Sequence, residues 1–484
     1  MELSRFQKFR GTKKMHCKLN SWKEKAKERR HKNESFKKRI RELTKSRDNW
    51  KEKYKIAKLE KDSLKKELAK KNTTTTHKIK RHSYTSEEIS FCVNLKEVGG
   101  CSYRSCLKVL ELLLLLGILE FRKPSASSIR NWCIKLGYHK VHQKCKSPTS
   151  DWVLIVDESV SVGSEKILLL IGVNLSDYQF DGPLKMQQVE VLAIRIKRSW
   201  KAEEISEVVE QVLQRDYRFK YACSDNGNNL RKTLKMNNII HIEDCGHCFG
   251  KILEKRYKKE DVYQEFSSKK SLFKKQNLLS QYAVFLPPQQ RTKGRFMNLW
   301  STCKWAKKLV SIAKAMADET TKKDTYEKIK WILDFEDFID QLHKEQQLIN
   351  RLNEILKTGG LSEKSIKTCE EAIQESGLKE NFTKELQGYL ERNFEKIQRQ
   401  GRVICSSDII ESIFGKFKNH LSKNAMSGLT EGSLTIANYG KLTTPKSIQQ
   451  PMEETRIVDI LKWREENLPI SMLRKKAAMF KNVG

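Results

Sequence analysis

A repeat of apolar positions marks a long helix near the start of the chain. Apolar side chains recur every seven residues at Phe36, Leu43, Trp50, Ala57 and Leu64. This heptad register predicts a helical arm over residues 1–75 with a coiled-coil stripe, before the polar linker at 72–78. The stripe indicates either a dimerisation arm or a helix that folds back on the protein. A solvated charged helix without a partner is the plain alternative.

Helix-capping signals then predict a small helical domain over residues 83–143. Thr85 and Glu88 have the spacing of a capping box, and Ser102 caps a second helix that Gly117 ends. A third helix is expected over 124–137, with a serine cap before it and Gly137 as its C-cap glycine.

The third helix has the features of a DNA recognition helix. With its apolar side chains in the core, Ser128, Arg130, Asn131 and Lys135 are expected to face outward. A short helix that exposes Arg and Asn after a turn suits a helix-turn-helix domain that binds DNA. Small three-helix domains without DNA binding are also common, so the basic character of the chain is needed to favour this interpretation.

From residue 151 short apolar runs replace the helical period. They predict three strands, a helix, a strand, a helix and a further strand. Short links make the first three strands antiparallel, and the helices then cross over to parallel strands, which is the order of an RNase H-like fold. The predicted strands cover 151–162, 165–175, 188–200, 221–227 and 239–245, the first helix covers 201–216, and a basic helix runs on from Cys248.

The fold class that follows is an α/β RNase H-like core interrupted by an all-α insertion. The first part of the core is predicted over 151–261 and the insertion over 262–400, where helices are expected at 295–319 and 326–356. One helix over 403–421, with Ile410, Ile413 and Phe414 on its apolar face, returns the chain to the core at 401–425. The C-terminal segment, 426–484, carries no interpretable motif.

Charge points to a polyanionic partner. The chain has 95 Lys and Arg against 60 Asp and Glu in 484 residues, a formal net charge of +35, and residues 1–80 contribute +19 of it. Nucleic acid is the usual partner, because each neutralised phosphate releases counterions. The longest apolar run, 109–119, contains Glu111 and Gly117 and is too short to cross a bilayer. Twelve scattered cysteines favour a reducing compartment, and we expect a cytoplasmic, nucleoid-associated bacterial protein.

Three acidic residues are candidates for catalysis. Asp157 ends an apolar stretch in the expected central strand, Asp225 ends the strand beside it, and Glu411 lies at the border of the apolar face of its helix. Nearby carboxylates repel unless a cation neutralises them, so we expect two Mg²⁺ or Mn²⁺ ions there. Each residue alone could be an ordinary structural or surface acid. Glu158 and Asp408 are alternative ligands.

The stretch Cys245-Gly-His-Cys248 raises two other possibilities. The spacing is that of thiol–disulfide exchange enzymes, and the residues with His241 also suit Zn²⁺. The favoured interpretation pairs Asp244 with His247 as functional residues and treats the cysteines as small turn and core residues.

In this order the motifs resemble the DDE transposases of insertion sequences, over about residues 120–425. The long helical insertion and the Asp244-x-x-His247 pair are similar to the Mutator and hAT groups. The resemblance implies that Asp157, Asp225 and Glu411 bind metal and cut DNA, with His247 as a further catalytic residue. It also implies that a tryptophan of the insertion, Trp300, Trp305 or Trp331, stacks on a displaced base, although core packing is the plainer expectation.

The sequence therefore predicts a DNA transposase that cleaves element ends and joins them to target DNA. Terminal inverted repeats and target DNA would be bound by the basic arm and by the helix-turn-helix, with Lys418 beside the backbone. A homo-oligomer is expected from the coiled coil. The alternatives are a non-catalytic, domesticated DNA-binding protein and an RNase H-like nuclease without strand transfer.

Overall fold

A computed structural model describes residues 3–71, 79–162, 165–290, 295–317, 323–398, 401–421, 428–470 and 472–481. The chain divides into two compact units, Met1–Thr76 and His77–Gly484. The linker predicted at 72–78 lies outside the described residues. The finer domain boundaries predicted from the sequence stay predictions.

The first unit is a single helix, α1 (Leu3–Lys71). Phe36, Leu43 and Trp50 of the heptad stripe lie on its surface, with 55–69% of each side chain exposed. The predicted helix is confirmed, and a coiled-coil partner for the stripe stays a prediction.

The second unit contains a five-stranded mixed sheet in its described part. The strand order is β3-β2-β1-β4-β5, with β2 antiparallel to both β1 and β3, and with β4 and β5 parallel to β1. The antiparallel and parallel connections expected from the link lengths are confirmed. The strands are β1 (Trp152–Val162), β2 (Glu165–Asn174), β3 (Glu190–Lys197), β4 (Phe219–Ser224) and β5 (His241–Glu243).

Helices make up most of the rest of this unit. Those before and around the sheet are α2 (Ser86–Glu97), α3 (Tyr103–Leu115), α4 (Ala126–His142), α5 (Ala202–Leu213), α6 (Asn228–Met236) and α7 (Cys245–Tyr257). Between the sheet and the helix of Glu411 lie α8 (Asp261–Asn277), α9 (Leu299–Met316), α10 (Lys323–Ile329), α11 (Glu336–Gly359), α12 (Glu363–Glu375) and α13 (Glu380–Glu395). The last helices are α14 (Asp408–Lys418), α15 (Pro445–Glu454), α16 (Ile457–Asn467) and α17 (Met472–Lys481). Among the described residues, no helix is both long and apolar enough to span a bilayer.

Each face of the sheet supports its own apolar core. Leu154 and Val156 of β1 pack with α5 and α6 on one face, whereas Val153 and Ile155 pack with α7, α14 and part of α11–α13 on the other. The alternation follows from the two-residue period of a strand. Side chains of α8, α9 and α10 form a separate cluster, so only part of the predicted insertion has a core of its own.

The helical region over α2, α3 and α4 confirms most of the capping signals. Thr85 and Glu88 form the predicted capping box, and Ser102 and Ser125 cap the next two helices. The core of this region also contains Ile448 and Met452 of α15, both almost fully buried. The C-terminal segment is thus a structural part of the helical region.

The prediction that Gly137 ends the third helix is wrong. α4 continues to His142, and Gly137 lies inside it where the chain at Leu434 crosses. A Cβ atom at this position would lie 2.1 Å from the Leu434 carbonyl oxygen. Glycine is present here because another backbone approaches closely, not because the helix needs a C-cap.

Three other predicted helices have different bounds. α7 begins at Cys245, because Asp244 caps it. The helix expected over 326–356 is broken by a 3-10 segment, Lys330–Phe335, where buried side chains recur every three residues as that helix type requires. The helix expected over 403–421 begins only at Asp408, because Val403 is extended and pairs with Leu361.

The close packing at Gly137 gives a test of the fold. Gly137→Val should lower the free energy of unfolding by about 1–3 kcal/mol or more, because the backbone at Leu434 has to move. Gly359→Val is the matched control, since nothing lies within 4 Å of a Cβ there. Urea unfolding measures both, and equal losses in the two variants would contradict the assigned contact.

Candidate functional site

Parallel pairing of β1 and β4 brings Asp157 and Asp225 together. Ile155 pairs with Cys223 in this register, and both side chains lie in the core on the α7 and α14 face. Asp157 lies two residues further along β1, and Asp225 directly follows the last residue of β4. Because side chains alternate along a strand, Asp157 projects to that same face, and Asp225 is near enough for its charge to act on it. The predicted neighbouring pair is therefore present.

Asp157 is an electrostatically strained group. Burial, and after it the negative charge of Asp225, raise the pKa of Asp157 to about 7. His247 acts in the opposite direction, and Glu411 raises the pKa further. Three residues that are far apart in the sequence therefore act on one carboxyl group.

A turn fixes the direction of Asp225. Its Oδ1 accepts a hydrogen bond from the Gly227 backbone N–H at 3.0 Å, immediately before α6 begins. Both carboxylates line a cavity of about 490 Å³, together with Lys166 and the start of α6. The cavity gives a substrate access to the strained pair.

Glu411 and His247 approach the sheet from two helices. Glu411 lies in the first turn of α14, and His247 in the first turn of α7. The His247 Nε2 atom is 3.9 Å from the Glu411 Oε1 atom, so a protonated imidazole forms an ion pair there. The Glu411 side chain is 44% exposed, which leaves it accessible from solvent. Lys418, at the end of α14, is exposed as well.

Asp244 joins the starts of α7 and α14. It is 1% exposed, and its Oδ1 accepts from the His247 backbone N–H at 2.6 Å. Its Oδ2 accepts from the backbone N–H and the hydroxyl of Ser407, at 2.6 and 2.9 Å. One buried carboxylate thus fixes the helices that carry His247 and Glu411. Ser407 was not among the residues predicted from the sequence, although a serine directly before a helix is an ordinary cap signal.

The alternative ligands Glu158 and Asp408 each have a lysine partner. Glu158 Oε2 lies 3.4 Å from Lys166 Nζ, and Asp408 forms an ion pair with Lys357. Glu158 follows Asp157 on β1 and lines the same cavity, with its carboxylate directed to Lys166. These pairings favour Asp157 over Glu158 and Glu411 over Asp408.

The carboxylates suit a divalent cation in kind. Oxygen donors are what Mg²⁺ and Mn²⁺ prefer, and a cation would relieve the repulsion between Asp157 and Asp225. In the described part of the chain, no group of three or more His, Cys, Asp or Glu side chains is close enough to hold a metal ion. Asp157 and Asp225 therefore offer a cation two carboxylates, whereas the Glu411 carboxylate lies beside the His247 imidazole.

The predicted recognition face of α4 is not open. Arg130 forms an ion pair with Glu431 at 2.8 Å, and burial lowers the pKa of Lys135. Ser128 and Asn131 are half-buried as well. The segment 431–438 packs along α4, so the predicted face is partly covered by protein, although the Arg130 side chain is still 39% exposed. The role of these four residues in DNA binding stays a prediction.

The Cys-Gly-His-Cys stretch does not have the electrostatics of a redox site. Cys245 is fully buried and Cys248 is partly buried. Burial raises the pKa of Cys248 to about 12, and the pKa of Cys245 is also raised, chiefly by its hydrogen bond with Cys405. Catalytic thiols have lowered pKa values, so these cysteines serve in packing.

Two of the three tryptophans of the insertion pack inside it. The Trp305 indole N–H donates to the Phe285 carbonyl at 2.9 Å, and the Trp331 ring packs against Phe266 and Phe273. Core packing, the plainer expectation, applies to both. Trp300 stacks on His343, with ring centroids 5.2 Å apart.

The strained carboxylate gives a pH test. Because the folded-state pKa of Asp157, about 7, is above its unfolded value of about 3.9, the folded state binds the extra proton. Stability from this group is greatest below pH 4 and falls as the pH rises towards 7. In EDTA at pH 8, Asp157→Asn should therefore unfold with a free energy up to about 4 kcal/mol higher than wild type, and the gain should vanish at pH 4.

Chemical denaturation across this pH range measures the gain. Asp151→Asn, at the exposed opposite end of the same strand, is the control and should not reproduce it. Equal free energies of unfolding for the wild type and Asp157→Asn at pH 8 would contradict the raised pKa of Asp157.

Asp244 gives a second test. Asp244→Asn keeps the shape but places an amide where two N–H groups and one hydroxyl donate to a carboxylate. We expect the free energy of unfolding to fall by about 2–4 kcal/mol, since charge-assisted bonds in a buried place are lost. Ser407→Ala removes only the hydroxyl bond and should cost about 1 kcal/mol, as thermal or urea unfolding would measure. Similar losses of unfolding free energy in the two variants would contradict the role of Asp244 in joining the starts of α7 and α14.

Comparison with known proteins finds a likeness in structure but not in sequence family. No family model matches the sequence, and no curated protein matches it. Among solved structures, the chain is similar to the Drosophila P element transposase strand transfer complex, with a TM-score of 0.41 and 12% sequence identity. The match covers 82% of this chain and 99% of that chain.

Proposed function

We propose that this protein is a DNA transposase of the DDE type, with an RNase H-like core that cleaves element ends and joins them to target DNA. The observation that carries the proposal is the convergence of Asp225, Glu411 and His247 on the Asp157 carboxyl group, whose pKa burial and the two acids raise and His247 lowers. The sheet order with two parallel strands beside an antiparallel meander supports the RNase H-like assignment.

Asp157 and Asp225 are the residues that would hold the metal ions at the sheet edge. Bound there, Mg²⁺ or Mn²⁺ would activate the attacking water or 3′-hydroxyl and stabilise the leaving oxygen. Glu411 is the third proposed ligand, and the His247 imidazole orients its carboxylate from 3.9 Å. Asp244 fixes both helices, so it positions this pair without touching the substrate.

DNA is the proposed substrate because of charge. A formal net charge of +35 favours a polyanion, and α1 carries much of this charge together with an exposed apolar stripe. Terminal inverted repeats and target DNA are the proposed sites of binding. A homo-oligomer formed through α1 is part of the same proposal.

A plasmid-nicking assay tests the catalytic part. With Mg²⁺ or Mn²⁺, the wild-type protein should nick supercoiled plasmid, and Asp157→Asn, Asp225→Asn and Glu411→Gln should each lower the rate by about 100-fold or more. The reason is that each variant removes a carboxylate that the metal chemistry needs. Glu158→Gln and Asp408→Asn, whose carboxylates have lysine partners, should have smaller effects.

The control is Glu207→Gln, which changes an exposed acid on α5 and should nick at the wild-type rate. DNA binding without metal-dependent nicking would favour a non-catalytic, domesticated protein. Nicking without joining of pre-cut ends to plasmid would favour a plain nuclease.

A further inference from the structure

A buried charged cluster lies at the far end of the helix that carries Glu411. The Glu97 cluster consists of Glu97, Lys96, Lys140 and Lys416, contributed by α2, α4 and α14. Glu97 is 2% exposed, and neither of its carboxylate oxygens has a hydrogen-bond donor in good geometry, although the weakly donating Cys133 thiol lies against it. Burial raises the pKa of Glu97 and lowers the pKa of Lys140 to about 8.

Lys416 connects this cluster to α14. Its Nζ donates to the Glu97 backbone carbonyl at 2.6 Å, which caps the last turn of α2. The same ammonium lies 4.6 Å from the centre of the Tyr439 ring. Lys96 adds a second link, because its Nζ is 3.4 Å from Nδ1 of His420, just after α14.

A buried charged cluster contributes little net stability to a helix. Buried charges lose their hydration, and apolar side chains of similar volume often serve stability as well or better. Apolar side chains such as Ile410, Ile413 and Phe414 hold α14 in the core, and apolar contacts have little directional preference. At the far end of the helix, a half-buried cation that must meet one carbonyl and one ring restricts the helix along and around its axis.

We propose that Lys416 is a positioning residue for Glu411. α14 is fixed at its start by Asp244 through Ser407 and at its end by Lys416 through Glu97. Glu411 lies between the two attachments, five residues before Lys416. The place of Glu411 at the sheet edge therefore depends on the helical region of α2 and α4. In its link to catalysis, this inference rests on the proposed function.

Hydrogen exchange on the full chain tests the attachment directly. Lys416→Met keeps most of the side-chain length but removes the donor and the charge. Amides in the turns of α14 around Glu411 should exchange about 10-fold faster or more, while those of β1 and β4 keep the wild-type rate. Lys364→Met, an exposed lysine on α12, is the control and should change nothing there. Wild-type exchange around Glu411 in Lys416→Met would overturn the inference.

Mn²⁺ binding separates positioning from general loosening. Followed by electron paramagnetic resonance, Lys416→Met should weaken Mn²⁺ affinity about 10-fold, but have no further effect once Glu411→Gln is present. An equal loss in both backgrounds would overturn the positioning role. If the wild-type protein binds no Mn²⁺ and nicks no DNA, the proposed function fails, and the exchange result still decides the attachment. Lys416→Gln, which removes the charge and shortens the side chain, has the same expected changes and replaces Lys416→Met if that variant does not fold.

Discussion

The parallel pairing of β1 with β4 is the constraint on which the candidate site depends. It places two carboxylates near one another at one end of the sheet, where the charge of Asp225 raises the free energy of ionising Asp157. A sequence selected only for stability would replace at least one of them with a neutral residue. The carboxylate pair thus lowers the stability of the fold at this place, and such a local loss of stability is typical of functional sites.

The rest of the site is built by attaching helices to that sheet edge. α7 and α14 are far apart in the chain, separated by the helices α8 to α13, yet the buried Asp244 carboxylate accepts hydrogen bonds from the first turn of one and from the cap of the other. Apolar packing alone would hold the two helices near the sheet without fixing their ends. Three directional bonds to a buried charge define where each helix begins, and hence where His247 and Glu411 lie.

The helical region of α2, α3 and α4 shares a core with the C-terminal segment. The segment 431–438 lies along α4, and α15 completes the core under α2 and α4. The same packing takes Arg130 into an ion pair with Glu431. α4 is therefore a structural element between the sheet and the C-terminal segment, and its polar face contacts protein.

Local sequence determined which elements form. The capping box at Thr85, the heptads of α1, the apolar strands and the link lengths each have a local physical cause, so the element types and the strand directions were predictable. Asp157 and Asp225 could be named because an acid at the end of an apolar strand is unusual wherever the strand packs. Only tertiary contacts decided the rest. Gly137 has the sequence pattern of a C-cap and is instead a point of close approach to Leu434, and Arg130 has the pattern of an exposed residue until Glu431, 301 residues away, is brought beside it. The attachments at Ser407 and Lys416 were equally invisible, because their partners come from elements whose proximity no local pattern records.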